Sequence, residues 1–575
     1  VVSENEEIKV KYFISPLKFG SYETVVTASV NEKEVTRRKL SREEIRYLPG
    51  TQGDIIKVLQ NLPGVSRGSF GDGRLVIRGT APQDSKTYLN GIEIPAIFHF
   101  GGLRSVIATQ MVEDVEYMGG GYSSRYGNSI GGVVDIKLKH QNPDHWRSWV
   151  GVDTFDAGFY TEGPVSEKAS ISLSGRRSYI DIILNALLKD NEDFSFTVAP
   201  RYYDSQIQFS YNPNKRNRFL LPVVFSNDEL AFVIGNPPED GAVIRGNIKN
   251  STEFTMISPH YTYFSPSGWS NRISANIGRN MFFFNLTEDY KFDLDVKRYD
   301  IRNEISLPQV HKGTLILGVD SKTGDYEVEV SLPRPNNPAE VFTPITTREI
   351  IHQDVKGTST IFSFYSQWER SFDRLSIVPG LRFSWFSSLS ETTIEPRFSM
   401  KYKLSDPTTL KMAAGWFYRQ PDDVEIDEVF GNPDLRTERS RQLVVGVERD
   451  LNKLGLLDLQ LFYNALDHLA VEDDEKNYTS NGKGRIWGLE LLHRFPEKGK
   501  VTGWLSYTLS RSERKDVRTG RYYVHNYDQT HIVSLLASYH LSASWKLGTR
   551  VRYVTGNPYT PVKNAFFDSD NDVYI

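Results

Sequence analysis

The residues that most often carry catalysis are present in this sequence, but they are not spaced for it. The 11 histidines are scattered, and no pair has the spacing of a zinc protease. We interpret His525 as a loop residue and His531 as a strand residue. The stretch 481–484, Asn-Gly-Lys-Gly, lacks the spacing of a phosphate-binding loop, and no Ser-His-Asp set or pair of catalytic carboxylates can be placed. We therefore expect no catalytic residue, no cofactor and no enzyme activity.

Acidic runs are the remaining candidates for metal binding. They lie at 190–193, 472–475 and 568–572. Each could hold calcium, yet none has the glycine and the terminal glutamate of an EF-hand loop. Solvated outer loops are the simpler interpretation, so we expect no metal site.

The run Ile97-Phe98-His99-Phe100, on a loop bounded by glycines, is the best candidate for ligand chemistry. Aromatic rings can stack on a ligand, and an imidazole can hydrogen-bond to it. The alternative is that Phe98 and Phe100 pack against a neighbouring wall. The sequence leaves both interpretations open.

Composition limits the class of protein. The chain has 575 residues, of which 39% are hydrophobic and 12% aromatic, with a mean hydropathy of -0.43. The formal charge of -4 gives no basic field for nucleic acid. No run approaches 18 consecutive apolar residues, which excludes a transmembrane helix, but strands that alternate apolar and polar residues also span membranes. Because there are no cysteines, disulfides and thiolate metal sites are excluded.

After residue 140 the sequence consists of alternating segments of roughly 10 to 15 residues. In the run 375–385, one face carries the apolar residues Leu375, Ile377, Leu381, Phe383 and Trp385. Links near 213, 266, 406 and 498 are short, whereas those near 228–250, 328–355 and 419–437 are long and polar. Short turns on one rim and long loops on the other indicate an outer-membrane β-barrel, and we count about 18 strands. A soluble sandwich or propeller would alternate too, but has no reason to segregate its links.

The first 140 residues have a different pattern, that of a small mixed α/β unit. Two strand-like runs, 74–79 and 87–92, are separated by polar residues, and the second contains the turn dipeptide Asn90-Gly91. The segment Thr51–Val65 has apolar residues at helical spacing before a Pro-Gly stop. A strand at 112–118 then leads into the glycine-rich runs 119–121 and 131–132.

In this order, these segments resemble the plug domain of TonB-dependent outer-membrane transporters. Gly431–Ser440 is similar to the family's Asn-Pro-x-Leu-x-x-Glu strand start, and Gly488-Leu489-Glu490 to its Gly-apolar-Glu strand. The resemblance implies a mainly β fold, a transmembrane antiparallel barrel of roughly 22 strands with the plug in its lumen. We expect about four closing strands to be missing beyond residue 575, because an open sheet edge in lipid would be costly.

The resemblance also implies that the chain is divided into four segments. Residues 1–20, with the alternating run 8–14, are similar to the last strand of a carboxypeptidase-regulatory-like domain. Residues 21–31 hold a TonB box and linker, 32–140 the plug, and 141–575 the barrel. The TonB box is expected to bind TonB by strand addition, and its residues are Glu23, Thr24, Val25, Val26, Thr27 and Ala28.

For plug–barrel docking, the family pairs a plug arginine with barrel glutamates, and the matching residues here are Arg78 and Glu490. The sequence departs from the family pattern twice. The second plug arginine is replaced by Gly119, and a barrel glutamate by Val444. Arg125 is the candidate substitute for that second arginine.

Three plug loops, 66–73, 95–102 and 119–128, are expected to face the outside beneath the barrel mouth. Ligand-binding candidates on or beside them are Arg67, Phe98, His99, Phe100, Arg104 and Tyr122. The resemblance implies TonB-dependent import of a scarce ligand across the bacterial outer membrane, with TonB, ExbB and ExbD, membrane lipid and an extracellular small molecule or peptide as partners. The alternatives are a plugged receptor or an adhesion or assembly protein without import, and a secreted sugar-binding β-protein.

Overall fold

The computed structural model describes residues 35–68, 73–99, 102–140, 143–187, 194–234, 246–286, 290–333, 349–473, 475–496, 499–542, 545–559, 567–568 and 573–574. The expected strand at 8–14, the expected TonB box at 23–28, Phe100 and the acidic run 190–193 lie outside these residues.

The described residues up to 140 form the plug. Its strands are β1 (Arg37–Ser41), β2 (Val65–Arg67), β3 (Leu75–Ile77), β4 (Lys86–Leu89), β5 (Ile92–Glu93), β6 (Val112–Met118) and β7 (Val133–Leu138), and its helices are α1 (Arg42–Tyr47) and α2 (Ile55–Leu59). One sheet has the order β1-β6-β7-β4-β5, and β2 pairs with β3 in a hairpin. Only β4 and β7 of these neighbours run parallel.

Local sequence signals explain the boundaries of the plug elements. Ser41 caps α1 in a capping box with Glu44, and Asp54 caps α2. Asn90 and Gly91 have φ of 53° and 85° and join β4 to β5, as a two-residue hairpin turn requires. The helix and hairpin predicted for the plug are thus confirmed, with a helix shorter than the apolar pattern suggested.

From residue 147 the chain forms one large sheet. The strands up to the middle are β8 (Arg147–Val152), β9 (Asp156–Ser166), β10 (Ala169–Ser178), β11 (Phe194–Asn214), β12 (Asn217–Ile234), β13 (Gly246–Ile257), β14 (His260–Phe264), β15 (Ser270–Leu286), β16 (Tyr290–Val310), β17 (Gly313–Pro333) and β18 (Ile350–Ser371). The rest are β19 (Leu375–Phe386), β20 (Glu391–Ser405), β21 (Thr408–Arg419), β22 (Glu438–Asp450), β23 (Leu456–Asp473), β24 (Asn477–Arg494), β25 (Val501–Lys515), β26 (Tyr522–Val524), β27 (His531–His540) and β28 (Lys546–Val554). Helix α3 (Ile180–Leu187) lies between β10 and β11, and β29 (Phe567–Asp568) pairs with β30 (Val573–Tyr574).

The strands β8 to β28 close into an antiparallel barrel. Two strands are interrupted and therefore count as two segments each. β13 and β14 both pair with β12 and β15 and are separated at Ser258-Pro259, where proline has no N–H for the ladder. β26 and β27 both pair with β25. The 21 segments from β8 to β28 therefore form 19 strands, close to the expected count of about 18. Because β28 lies beside β8, the open sheet edge expected from the sequence is not found among the described strands.

The two faces of the barrel wall are reversed relative to a soluble protein. In β19 the apolar side chains of Phe383 and Trp385 are exposed, whereas Arg382 and Ser384 are buried. The same alternation occurs in β11, where Ile207 and Phe209 are exposed and Gln206 is buried. An apolar exterior and a polar interior are typical of an outer-membrane barrel. None of the helices among the described residues is long and apolar enough to cross a bilayer.

The plug lies in the lumen. Its residues hydrogen-bond to inward-facing side chains on strands around the wall, from β10 and β11 through β15 to β20, and on to β24, β25 and β28. Apolar contacts add to these bonds. The buried core of α1, α2 and the plug sheet is continuous with Leu492, Trp504 and Leu536 of the wall.

Several strands are longer than the sequence predicted. β16 and β17 have 21 residues each and β18 has 22, against the expected 10 to 15. β17 and β18 extend into the segment near 328–355 that was expected to be a loop, and β12 and β13 extend into the one near 228–250. The polar residues there alternate with apolar ones and so continue the strand pattern.

The reversed wall gives a first prediction. Phe364 faces outward from β18 and is 43% exposed, so Phe364→Lys is expected to reduce the free energy of unfolding in lipid vesicles by about 2–4 kcal/mol. Thr358→Lys is the control, because Thr358 lies on the same face six residues nearer the start of β18, where its hydroxyl hydrogen-bonds to Asp325. Denaturant titration followed by tryptophan fluorescence measures both. Equal stability of the two variants would contradict the assignment of the lipid-facing band.

Candidate functional site

The first part of the site is a buried contact between Arg78 of the plug and Glu490 of β24. Arg78 Nε donates to Glu490 Oε1 at 2.7 Å, and Nη2 donates to Oε2 at 3.1 Å. The guanidinium also lies 4.3 Å from the ring centre of Phe462. Both charged side chains are essentially inaccessible to solvent. A charge buried this deeply requires a paired, hydrogen-bonded partner.

The backbone directs Arg78 towards the wall. Arg78 follows β3 with φ of 54°, and Gly79 follows with φ of 69°. A left-handed conformation at arginine is uncommon and must be held by its surroundings. Here the N–H of Arg78 donates to the carbonyl of Gly64 at 2.6 Å. A Cβ on Gly64 would lie only 2.3 Å from Glu490 Oε1, so glycine leaves the space for the ion pair.

A second guanidinium comes from Arg38 on β1. Arg38 Nη2 donates to Glu490 Oε2 at 3.0 Å and lies 3.6 Å from Asp458 Oδ2 on β23. Lys411 Nζ of β21 donates to Asp458 Oδ1 at 2.6 Å and to Glu448 Oε2 at 3.2 Å. We call these six residues the docking cluster: Arg38, Arg78, Lys411, Glu448, Asp458 and Glu490. Its three positive and three negative side chains balance.

The docking cluster explains both departures from the family pattern. A Cβ on Gly119 would lie 3.1 Å from Arg78 Nε, so the site of the expected second arginine is filled by Arg78 itself. Val444 lies in an apolar cluster with Val35, Ile130 and Ala413, where a carboxylate would be unpaired. Arg38 and Asp458 supply the corresponding charges from other strands.

Arg125 contacts the barrel elsewhere. Its guanidinium forms a two-pronged pair with Glu304 of β16, with Nε 2.9 Å from Oε2, and the hydroxyl of Tyr365 donates to the same oxygen at 2.9 Å. Arg125 therefore does not occupy the place of the second arginine beside Glu490. Arg125 thus pairs with the wall, as a plug–barrel docking residue should, but with Glu304 and not with Glu490, where Arg38 takes the place of the second arginine.

A second charged contact lies near the rim of the barrel opposite to the docking cluster. It involves the Asn-Pro-x-Leu-x-x-Glu motif at the start of β22. Glu438, the last residue of the Asn-Pro-x-Leu-x-x-Glu segment, accepts from Arg419 Nε at 2.9 Å. Arg419 lies 3.4 Å from Asp84 of the plug. Burial, only partly offset by Arg419, raises the pKa of Asp84 to about 6. The motif thus positions an arginine that bridges wall and plug.

Inward-facing arginines of the wall also donate to plug carbonyls. These bonds are Arg272 to Asn90, Arg302 to Gly91, Arg382 to Ser124, Arg397 to Tyr126, Arg550 to Gly50 and Arg552 to Val65, over 2.7–3.4 Å. Such bonds fix the backbone of the plug whatever its side chains are. Sequence reasoning missed them because a carbonyl leaves no trace in the sequence.

His99 is buried between two carboxylates of the wall. Its Nε2 lies 2.9 Å from Asp204 on β11 and its Nδ1 lies 3.2 Å from Asp228 on β12. The ring stacks on Tyr202 at 4.2 Å. Burial lowers the pKa of His99, but the hydrogen bonds to both carboxylates outweigh it, so the pKa stays above its usual value.

Two other ligand candidates are similarly engaged. Arg104 donates to Asp156 at 3.0 Å, and the buried Tyr122 packs on Phe417 at 4.5 Å. Like His99, they face plug–wall contacts in this structure, so they would reach a ligand only after a change of conformation. Arg67 is exposed, and Phe98 is partly buried against the plug core. These two remain accessible candidates.

Among the described residues, no group of three or more His, Asp or Glu side chains could hold a metal ion. The contacts between plug and wall consist of apolar packing and paired charges. Their signal in the sequence was the alternation in β23, where Asp458 and Gln460 face away from the apolar residues. That pattern showed on which face of β23 the polar side chains lie, but not which residues they contact.

The docking cluster gives the second prediction. Arg78→Met removes one of the two positive charges that balance the buried carboxylate of Glu490. It is therefore expected to reduce the free energy of unfolding by about 3–5 kcal/mol, measured by denaturant titration. Arg279→Met is the control, because Arg279 pairs with Asp295 on the exposed outer face of the wall, where such pairs contribute little. A loss no larger than that of the control would show that the buried pair does not hold the plug.

His99 gives the third prediction. Because its pKa is raised in the folded protein, the charged ring stabilises the fold fully below the unfolded pKa of about 6.5, and this contribution is lost as pH rises through the folded value. The difference in melting temperature between the wild type and His99→Gln should therefore be largest at acidic pH and shrink at alkaline pH. His531→Gln is the control, and a difference for His99→Gln that does not shrink would contradict the charged state.

Comparison with known proteins agrees with this arrangement. A model of the TonB-dependent receptor plug domain matches residues 29–133, and a model of the TonB-dependent receptor-like β-barrel matches residues 117–574. A search of curated proteins finds no match.

Solved structures share the fold. The siderophore receptor PirA from Acinetobacter baumannii is 17% identical with a TM-score of 0.69, over 93% of this chain and 89% of that one. A mutant of the ferric enterobactin receptor PfeA from Pseudomonas aeruginosa is 15% identical with a TM-score of 0.67, over 91% and 86% of the two chains. A chain of the FpvAI–pyocin S2 complex is 13% identical with a TM-score of 0.70, over 90% and 77%. Because the plug lies inside a barrel with an apolar exterior and a polar interior, and because both family models match, the chain belongs to the TonB-dependent receptor family.

Proposed function

We propose that this protein imports a scarce ligand, such as a ferric siderophore, across the bacterial outer membrane, using energy delivered by TonB with ExbB and ExbD. The observation that carries this proposal is the plug in the lumen, held by the docking cluster and by wall arginines. A barrel of this width has a lumen that needs a plug. A ligand can pass only if the plug shifts or rearranges.

The chemistry of the plug–wall contact supports a plug that can move. Many of its bonds join arginine side chains to backbone carbonyls. A hydrogen bond from a charged donor contributes about 1.5–3 kcal/mol net, because water replaces it when it breaks. The buried pair of Arg78 and Glu490 then sets the resistance that the force must overcome.

The TonB-binding role is assigned to residues 23–28 on sequence alone. An extended, β-prone segment can add to the sheet edge of a partner through main-chain hydrogen bonds. Ligand binding on the outside must favour exposure of this segment on the inside, since otherwise energy would be spent on empty receptors. The contacts from β1 through Arg38 to Glu490 offer one physical link between the start of the plug and the wall.

A ferric siderophore is proposed because the similar solved structures include receptors described as siderophore and ferric enterobactin receptors. Arg67 and Phe98 are the accessible ligand candidates on the plug. The sequence also allows a plugged receptor or an adhesion or assembly protein without import. This alternative differs from the import proposal in one expected property. It should function equally well in cells without TonB.

The fourth prediction tests import directly. Val25→Pro removes a main-chain donor from the proposed TonB box, so iron-limited growth that depends on this protein should fail while the amount of protein in the outer membrane is unchanged. Val25→Ile keeps the donor and is the matched control. The same cells lacking TonB should behave like the proline variant. Growth that persists in both would leave only the receptor or adhesion function.

A further inference from the structure

A small cavity lies between the plug and the wall, near the rim of the barrel that carries the short turns. The plug lines it with the Asn90-Gly91 turn and neighbouring side chains, and the wall lines it with β15 and β16. We call it the hairpin cavity. Its volume is about 20 Å³, which is enough for one group of the size of a water molecule or a chloride ion.

The charged side chains around the hairpin cavity do not balance. Four are positive and two are negative, namely Arg125, Lys137, Arg272, Arg302, Asp135 and Glu304. Two of the arginines share Glu304, since Arg125 Nε lies 2.9 Å and Arg302 Nη2 lies 3.4 Å from its Oε2. With both carboxylates paired, two positive charges remain in excess.

The excess charge centres on Arg272, the third residue of β15. Its Nη2 donates to the carbonyl of Asn90 at 3.0 Å, and it forms no ion pair with another described residue. Lys137 does pair with Asp135, yet burial, together with the positive charge of Arg272, lowers the pKa of Lys137 to about 8. Positive charge removed from water is costly unless negative charge compensates it.

A buried hydrogen-bond donor at the same cavity also lacks a partner. Asn90 lines the cavity and is only 5% exposed. Its Oδ1 accepts from the N–H of Leu138 at 3.0 Å, which identifies Nδ2 as the donor end of the amide. Asn90 Nδ2 has no hydrogen-bond partner among the described residues. A water molecule could accept this bond, but only an anion would also reduce the excess charge.

We propose that the hairpin cavity binds one small inorganic anion of the size of chloride, held by the side chains of Asn90 and Arg272. The volume favours a monatomic ion over larger anions, and its charge reduces the excess from two to one. The ion would connect the turn between β4 and β5 of the plug to β15 of the wall, and so stabilise the plug in the lumen. This site does not depend on the import function.

The test follows the melting temperature of the full chain in detergent micelles while sodium bromide replaces sodium gluconate at constant ionic strength. An ion that binds only the folded protein raises the melting temperature, so bromide should raise it for the wild type. Arg272→Gln loses a charged donor and should need about tenfold more bromide for the same rise. Arg279→Gln, in a pair on the outer face of the same strand, is the matched control and should titrate like the wild type.

A second variant keeps the test valid if Arg272→Gln does not fold. Asn90 has φ of 53°, a conformation that aspartate also tolerates. Asn90→Asp keeps the size of the side chain and places a carboxylate at the cavity, where it supplies the negative charge itself. It should therefore melt at a higher temperature than the wild type in gluconate and should not respond to bromide.

The anomalous signal of bromide in crystals is expected beside Asn90 Nδ2 and Arg272. A signal without a rise in melting temperature in solution would mean an adventitious ion only, and no rise and no signal would leave water in the cavity. Equal titration of Arg272→Gln and the wild type, destabilisation by Asn90→Asp in gluconate, or a rise with phosphate but not with bromide would each overturn the proposal. None of these results depends on TonB, so a failure here leaves the import proposal standing.

Discussion

Buried charge is the constraint on which the rest of this structure depends. Glu490 has no access to solvent, and two guanidiniums from the plug, those of Arg38 and Arg78, lie within 3.1 Å of its oxygens. Both guanidinium partners of Glu490 come from the plug, so the buried carboxylate depends on the plug for its compensating charge. The cluster therefore fixes the position of the plug.

The wall follows from the same principle applied to lipid. Every backbone group in the bilayer must be paired within the sheet, which leaves side chains to satisfy two different environments. Outward residues such as Phe364 are apolar and inward residues such as Gln206 are polar. Above the lipid the outer face is charged, and the inner face over β15 to β17 is apolar. The side chains of a single strand such as β16 therefore match three different environments along its length.

Much of this could be predicted from the sequence, and the part that could not has a physical reason. Alternation gave the strands, the Asn90-Gly91 dipeptide gave the plug hairpin, and the family motifs gave Arg78 and Glu490. Arg38 was missed because it lies outside the family motifs that indicated Arg78, and no local pattern reports a partner 452 residues away. Strand lengths were underestimated because charged outer residues above the membrane look like loop residues. His99 suggested a ligand contact, but two distant aspartates enclose it.

The position of the plug can be tested by one cross-link, since the chain has no native cysteine. A Cβ on Gly380 of β19 would lie 3.2 Å from Cβ of Ser124 in the plug, close to the spacing in disulfides. In isolated outer membranes, Ser124→Cys/Gly380→Cys should form a disulfide on mild oxidation, seen as a linked peptide by mass spectrometry. Ser124→Cys/Phe383→Cys, with the second cysteine on the outer face of the same strand, should not. No link in the first pair, or an equal link in both, would contradict a plug inside the barrel.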